Sequence, residues 1–187
     1  MRVLPRAYFL ILTVCVAACS LFGDEPSKKN LKTFSDNSNA IIKQHQDTLK
    51  FSCSSYWRGW EPARAFDQDP LKSWFTARGD AAAFNKKPWI AVEFPVAVNV
   101  RRVTLLANQE PPWEEGYTIL VGKLELIGKD NEVLYSFEDE VGGSSQTMEV
   151  RPKNVIQGVS KLRFRSLADE GDQNPYDDIG LAEILVE

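Results

Sequence analysis

From residue 50 onward the amino-acid sequence predicts an all-β fold, a sandwich or barrel of antiparallel strands. Two observations carry this. Segments with period-two alternation recur at short intervals between clusters of turn residues, and no apolar pattern of three helical turns appears among them. Strands that follow one another without helical crossovers pair antiparallel and bury one face against a second layer.

The elements follow in order. Phe51-Ser52-Cys53-Ser54 alternates apolar and polar. Residues 88–94 (PWIAVEF) set Ile90, Val92 and Phe94 against Trp89, Ala91 and Glu93. Residues 98–107 (VNVRRVTLLA) place Val103 and Leu105 inward. The run 117–127 leads through Gly128-Lys129-Asp130-Asn131 to Val133, Tyr135 and Phe137, a hairpin with its turn residues in place. Residues 161–165 (KLRFR) bury Leu162 and Phe164, and residues 179–186 close the chain. Ahead of the β region, Ile41, His45 and Leu49 fall four apart after the possible N-caps Ser38 and Asn39, which predicts a short helix. There are no internal repeats.

The N-terminus reads as an export signal. Arg2 and Arg6 precede an apolar run over residues 7–18 that is broken only by Thr13. It is too short to span a bilayer, which takes about 20 residues, and has the length of a signal-peptide apolar region. Val16-Ala17-Ala18-Cys19 resembles the bacterial lipobox. That resemblance implies cleavage after residue 18 and acylation of Cys19 with diacylglycerol and palmitate-type chains. One acyl chain holds only marginally, so a multiply acylated cysteine is what gives stable attachment. A plain signal peptide with an incidental cysteine is the alternative. Ser20 follows, with no Asp to suggest inner-membrane retention, so the expected address is the outer membrane. Residues 19–49 then read as a lipidated cysteine and polar tether ending in the short helix, and residues 50–187 as the domain.

Composition narrows the function classes. Removal of residues 1–18 takes away Arg2 and Arg6 and no carboxylate, moving the formal net charge from −4 to about −6. A mildly acidic chain without a basic stripe is not a nucleic-acid binder. Of three cysteines, Cys15 leaves with the signal and Cys19 is acylated, so Cys53 has no partner within the chain. It is either a buried inert thiol or an intermolecular bridge; the expected state is a monomer. His45, the single histidine, lies ahead of the domain, which leaves Ser-His-Asp and Cys-His chemistry without a base. No zinc-type spacing or glycine-rich phosphate loop is present. Glu114 with Glu115, or residues 138–140 (EDE), carry enough carboxylates for acid-base work but read as solvated surface.

Two separated segments point to one family. Ala65-Phe66-Asp67-Gln68-Asp69-Pro70-Leu71-Lys72-Ser73-Trp74 resembles the A-x-D-G-D-P-x-T-x-W segment of discoidin domains, also called coagulation factor V/VIII C-type domains. Residues 88–94 are similar to their P-x-W-I-x-V-D-L strand, and Gly180-Leu181-Ala182-Glu183-Ile184 to their closing strand. Tyr176-Asp177-Asp178 resembles the glycan-binding variant attached to secreted NAD glycohydrolases. The likeness spans roughly residues 50–187. It implies an eight-stranded, galactose-binding-like jelly roll with ligand loops at one end and often a structural calcium. By motif, calcium would take the side chains of Asp67 and Glu183 and the carbonyls of Arg64, Asp69, Lys72 and Ala182. The chain departs from the motif twice: Lys72 stands where a threonine hydroxyl usually contributes, and Gln68 replaces the turn glycine. A metal-free turn in which the Lys72 ammonium joins Asp67 to Glu183 is the alternative.

Two loops carry ligand chemistry. Residues 54–62 (SSYWRGWEP) hold Tyr56, Trp57, Arg58 and Trp60; residues 108–117 (NQEPPWEEGY) hold Asn108, Glu110 and Trp113. Aromatic faces stack on sugar rings, while Arg, Asn and Glu bond hydroxyls with direction. Each of these aromatics is as readily a core cap as a contact, whereas Trp74 and Trp89 read as core. Arg78-Gly79-Asp80 spells the integrin-binding tripeptide in a loop, against the plainer reading of a solvated turn. The expectation is a membrane-anchored, non-catalytic module that binds a glycan. The alternatives are a lipoprotein that uses the same loops on a cell-surface protein, and a structural envelope lipoprotein with no small ligand.

Overall fold

The computed structural model describes residues 39–114, 117–141, 147–170 and 177–187. The expected export signal, Cys19, the polar stretch to residue 38, Glu115 and Tyr176 lie outside the described residues. Among the described residues no helix is long and apolar enough to cross a membrane.

Among the described residues, nine strands form two antiparallel sheets. They are β1 (Lys50–Cys53), β2 (Trp74–Phe75), β3 (Trp89–Val100), β4 (Val103–Ala107), β5 (Ile119–Ile127), β6 (Val133–Glu140), β7 (Thr147–Val150), β8 (Ile156–Asp169) and β9 (Gly180–Val186). A five-stranded sheet runs β1-β3-β8-β5-β6 and a four-stranded one β2-β9-β4-β7. The predicted period-two faces are observed. Ile90 and Val92 of β3, Leu162 and Phe164 of β8, and Leu124 and Leu126 of β5 are fully buried. They meet Val103 and Leu105 of β4 and Ile184 and Val186 of β9 in one core. The β5–β6 hairpin turns where predicted, with the Gly128 N–H donating to the Glu132 carbonyl at 2.9 Å and Asn131 at φ 60°.

Two boundaries move. The sequence places a break near Pro95, but β3 runs through it to Val100, and the turn falls at Arg101-Arg102. The β3–β8 register shifts between Glu93 and Val98, a bulge that accommodates a residue unable to donate to the ladder. The predicted helix is α1 (Ala40–His45), followed by a 3₁₀ turn (Gln46–Thr48). It packs on the sandwich, with Ile42 buried in the core, although the tether is expected to reach residue 49. Asn39 takes the N-cap position without a capping bond; its side-chain oxygen instead accepts from the Val186 N–H at 3.0 Å.

The strand directions give the sandwich two poles. Val103 faces Val186 and Ala107 faces Leu181, so β4 ends and β9 begins at one pole. The connections after β1, after β4 and before β9 gather there. The chain enters at the other pole, where Asn39 meets Val186.

Candidate functional site

The first loop is shaped by backbone bonds. The Trp57 N–H donates to the Phe75 carbonyl (3.1 Å) and the Trp60 N–H to the Trp57 carbonyl (2.9 Å), a tight turn with Gly59 at φ 96°. Trp74 points inward and is fully buried, its indole N–H donating to the Ser55 carbonyl at 3.1 Å. Alternation along β2 then turns Phe75 to the opposite face, under the loop. Gly180 lies against Phe75, and a Cβ there would come within 2.8 Å of that ring.

Four aromatic rings interlock edge to face. Trp60 and Phe75 centroids are 6.2 Å apart, Phe75 and Tyr117 5.1 Å, and Trp113 and Tyr117 6.3 Å, with interplanar angles of 84°, 88° and 83°. With Trp57 and Asp178 they line a pocket of about 220 Å³. The Trp57 indole N–H donates to the Asp178 carboxylate at 2.7 Å. Trp57 and Trp113 remain about two-fifths exposed, at 40% and 38%.

A polar framework holds these walls. Glu110 accepts from the Trp60 indole N–H (3.0 Å) and the Arg64 guanidinium (2.9 Å) on one oxygen, and from the Ser73 N–H (2.7 Å) on the other. Arg64 also bonds the Gly59 carbonyl and lies over the Trp60 ring, 5.7 Å from its centroid. Asn108 is buried; its side-chain oxygen accepts from Ser73 Oγ and the Glu110 N–H, and its amide donates to the Trp113 carbonyl. Asn108 and Glu110 therefore join the loops, where the sequence reading has them bonding a ligand. Tyr56 and Arg58 are exposed and do not line the pocket. Trp57, Trp60 and Trp113 do. Phe75, Tyr117 and Asp178 complete it and are absent from the predicted set. The signal for Asp178 was the Asp-Asp pair ahead of β9, and for Phe75 its place beside a core tryptophan.

The integrin-type tripeptide is not displayed as a free motif. The Asp80 carboxylate accepts from Ser54 Oγ and Ser55 Oγ at 2.7 and 2.5 Å, which ties it to the loop after β1. Trp89, expected in the core, is half-buried on β3. Cys53 is free and half-buried; burial pushes its thiol pKa up, which makes it a poor nucleophile. The acidic run 138–140 lies exposed on the edge strand β6.

Beside the pocket framework, the turn after the 3₁₀ segment Pro62–Phe66 approaches β9. Gln68 holds φ 68°, so the left-handed turn survives without glycine. Glu183 is fully buried and neither carboxylate oxygen has a hydrogen-bond partner. Burial, and then the Asp67 charge, push its pKa up to about 9. Burial likewise raises the Asp67 carboxyl. Lys72 reaches Asp69 at 3.0 Å and Asp67 at 4.0 Å, and no ion pair joins it to Glu183 among the described residues. Its half-exposed ammonium therefore does not bridge the two carboxylates as the metal-free reading requires. An orphaned buried carboxylate beside a second one suits a hard cation. Three or more His, Cys, Asp or Glu side chains nowhere converge among the described residues. A cation here would lean on main-chain carbonyls, which calcium accepts.

No protein-family profile matches the chain, and no curated protein matches it. Solved structures do. A fucose-binding module from Streptococcus pneumoniae superposes with a TM-score of 0.61 at 16% identity, covering 82% of this chain and 98% of that one. The family 32 carbohydrate-binding module of Clostridium perfringens NanJ, in complex with galactose, gives 0.60 at 14%, covering 76% and 95%. An F5/8 type C domain of a Bacteroides fragilis protein gives 0.56 at 15%, covering 75% and 91%. The domain has the discoidin, galactose-binding-like fold.

Proposed function

We propose that the chain is a lipid-anchored, non-catalytic carbohydrate-binding module that takes its glycan at the aromatic pole. The observation that carries this is the pocket of Trp57, Trp60, Phe75, Trp113 and Tyr117 on a fold shared with a fucose-binding module and with a module in complex with galactose. Aromatic rings offer flat apolar faces to sugar rings. The site supplies no histidine base, and the lone histidine ends α1 at the far pole. Recognition without bond-making is the reading that fits.

The anchor is the acylated Cys19, ahead of a polar stretch that leads to Asn39. The envelope compartment, with the outer membrane as its address, follows from Ser20 at the next position. Calcium steadies the loops: Asp67 and Glu183 would hold it by their side chains, with the carbonyls of Arg64, Asp69, Lys72 and Ala182. Its charge would answer the Glu183 carboxylate that the fold otherwise leaves without a partner.

A glycan array probed with the full chain tests the central reading. Binding that Trp113→Ala abolishes is expected; an array with no hit sinks it and turns attention to a cell-surface protein. Radiolabelled palmitate incorporated by the wild type and not by Cys19→Ser tests the anchor. A chelator that leaves the melting temperature unchanged removes the calcium.

A further inference from the structure

The pocket has an unusual composition for a site that grips neutral hydroxyls. Among the described residues it is lined by five aromatics and one acid. Of its three tryptophans, Trp57 already donates its indole N–H to Asp178 and Trp60 to Glu110. A hexose pressed into such a pocket would set most of its hydroxyls against ring carbon, which is unfavourable wherever water is excluded. At about 220 Å³ the pocket is also smaller than the roughly 300–1,000 Å³ of sites that enclose a whole small molecule. It fits one compact substituent.

The same walls suit a cation clad in methyl groups. Ring faces carry negative potential and attract a cation within about 6 Å of their centroids, and a quaternary ammonium asks for no hydrogen bond. Asp178 supplies the counter-charge. It is 3% exposed, and in so dry a setting the attraction between charges is stronger than in water. The Arg64 guanidinium lies over the Trp60 ring and is matched by Glu110. We propose that this pocket is an aromatic cage for a quaternary or fully methylated ammonium group, such as choline, carried on the glycan, with Asp178 as its counter-ion. The proposal rests on the carbohydrate reading above and names the substituent that enters the site.

Titrating the full chain with choline chloride, followed by tryptophan fluorescence and calorimetry, tests it. Choline is expected to bind at least about tenfold more tightly than 3,3-dimethylbutan-1-ol, which keeps its shape without its charge. Asp178→Asn keeps an acceptor for the Trp57 indole and removes the charge. It should lower choline affinity about tenfold or more while leaving the neutral analogue unchanged. Equal affinity for choline and its neutral analogue in the wild type overturns the cage, and that comparison needs no variant to fold. A glycan array that includes phosphocholine-substituted sugars separates the two readings. Hits on uncharged sugars that choline does not displace overturn the cage and leave carbohydrate binding standing. Displaceable hits confined to the phosphocholine-bearing sugars support both. Choline binding with no glycan hit, and retention of the Cys19→Ser chain on phosphatidylcholine vesicles, overturns the glycan as carrier.

Discussion

Glu183→Gln is the substitution whose effect can be worked furthest from the structure. The Glu183 carboxyl, fully buried without a partner, is pushed up to about 9 from an ordinary 4.5. Below about pH 4.5 it is protonated in both folded and unfolded chains, and folding keeps its full stability. As pH rises toward about 9 the unfolded chain ionises while the metal-free folded one does not, so stability is lost across that window. At pH 7 the loss is about 3.5 kcal/mol, from some 2.5 pKa intervals at about 1.4 kcal/mol each. For a domain of this size that is on the order of 10 °C in melting temperature. Glutamine has no charge to desolvate. In chelator the variant should melt well above the wild type at neutral pH, and the two should converge near pH 4.

Calcium reverses the comparison. An ion that binds the folded state stabilises it in proportion to the logarithm of its concentration over the dissociation constant. It needs Glu183 ionised, so binding should release close to one proton, read by calorimetry in buffers of different ionisation enthalpy. Thermal melts of both proteins, with chelator and with calcium, across the pH range give the full set. Parallel wild-type and variant curves in chelator would refute the desolvated carboxyl. An equal calcium shift in both proteins would refute Glu183 as a ligand.

Three further outcomes follow from the packing. Glu110→Ala removes the acceptor shared by Trp60, Arg64 and Ser73; it should cost about 2–4 kcal/mol in urea denaturation and weaken glycan binding together. Gly122→Ala sets a methyl 2.5 Å from Phe164 Cζ and 2.8 Å from a Val141 methyl, so it should lower stability by about 1–3 kcal/mol with the pocket untouched. Trp74→Ala should cost about 3–5 kcal/mol because that ring is fully buried, whereas Trp57→Ala should abolish ligand binding at a smaller cost of about 1–3 kcal/mol, since it takes a donor from the buried Asp178 carboxylate.

The fold was legible because alternation reports burial directly. Ile90, Val92, Leu162, Phe164, Val103 and Leu105 face inward as their period demands. Elements too short to show a period escaped: β2 has two residues and β7 four. Residues 39–49 read as tether because one apolar stripe on a short helix does not reveal what it packs against. At the site, Trp57, Trp60 and Trp113 stood out as aromatics among turn residues. Asn108 and Glu110 stood out equally, yet they bond the scaffold. Residue type alone does not say whether a polar loop side chain points to ligand or to frame. Lys72 misleads in the opposite direction, since the motif resemblance places it near Glu183 while the side chain turns out toward Asp69.

The polar frame also makes the two ends of the site one mechanical unit. Arg64 begins the turn that carries Asp67 and approaches Glu183, and its guanidinium reaches Glu110 and the Gly59 carbonyl. Ser73, one residue beyond Lys72, returns to Glu110 and Asn108. The whole turn is thus pinned at both ends to the carboxylate that holds the Trp60 indole. Ordering the turn with a cation orders a wall of the pocket without the ion touching a ligand. That assembly sits at the start of β9, while Asn39 is fixed to Val186 near its end, a strand length of about 20 Å away. The described chain therefore begins at the pole opposite the aromatic rings.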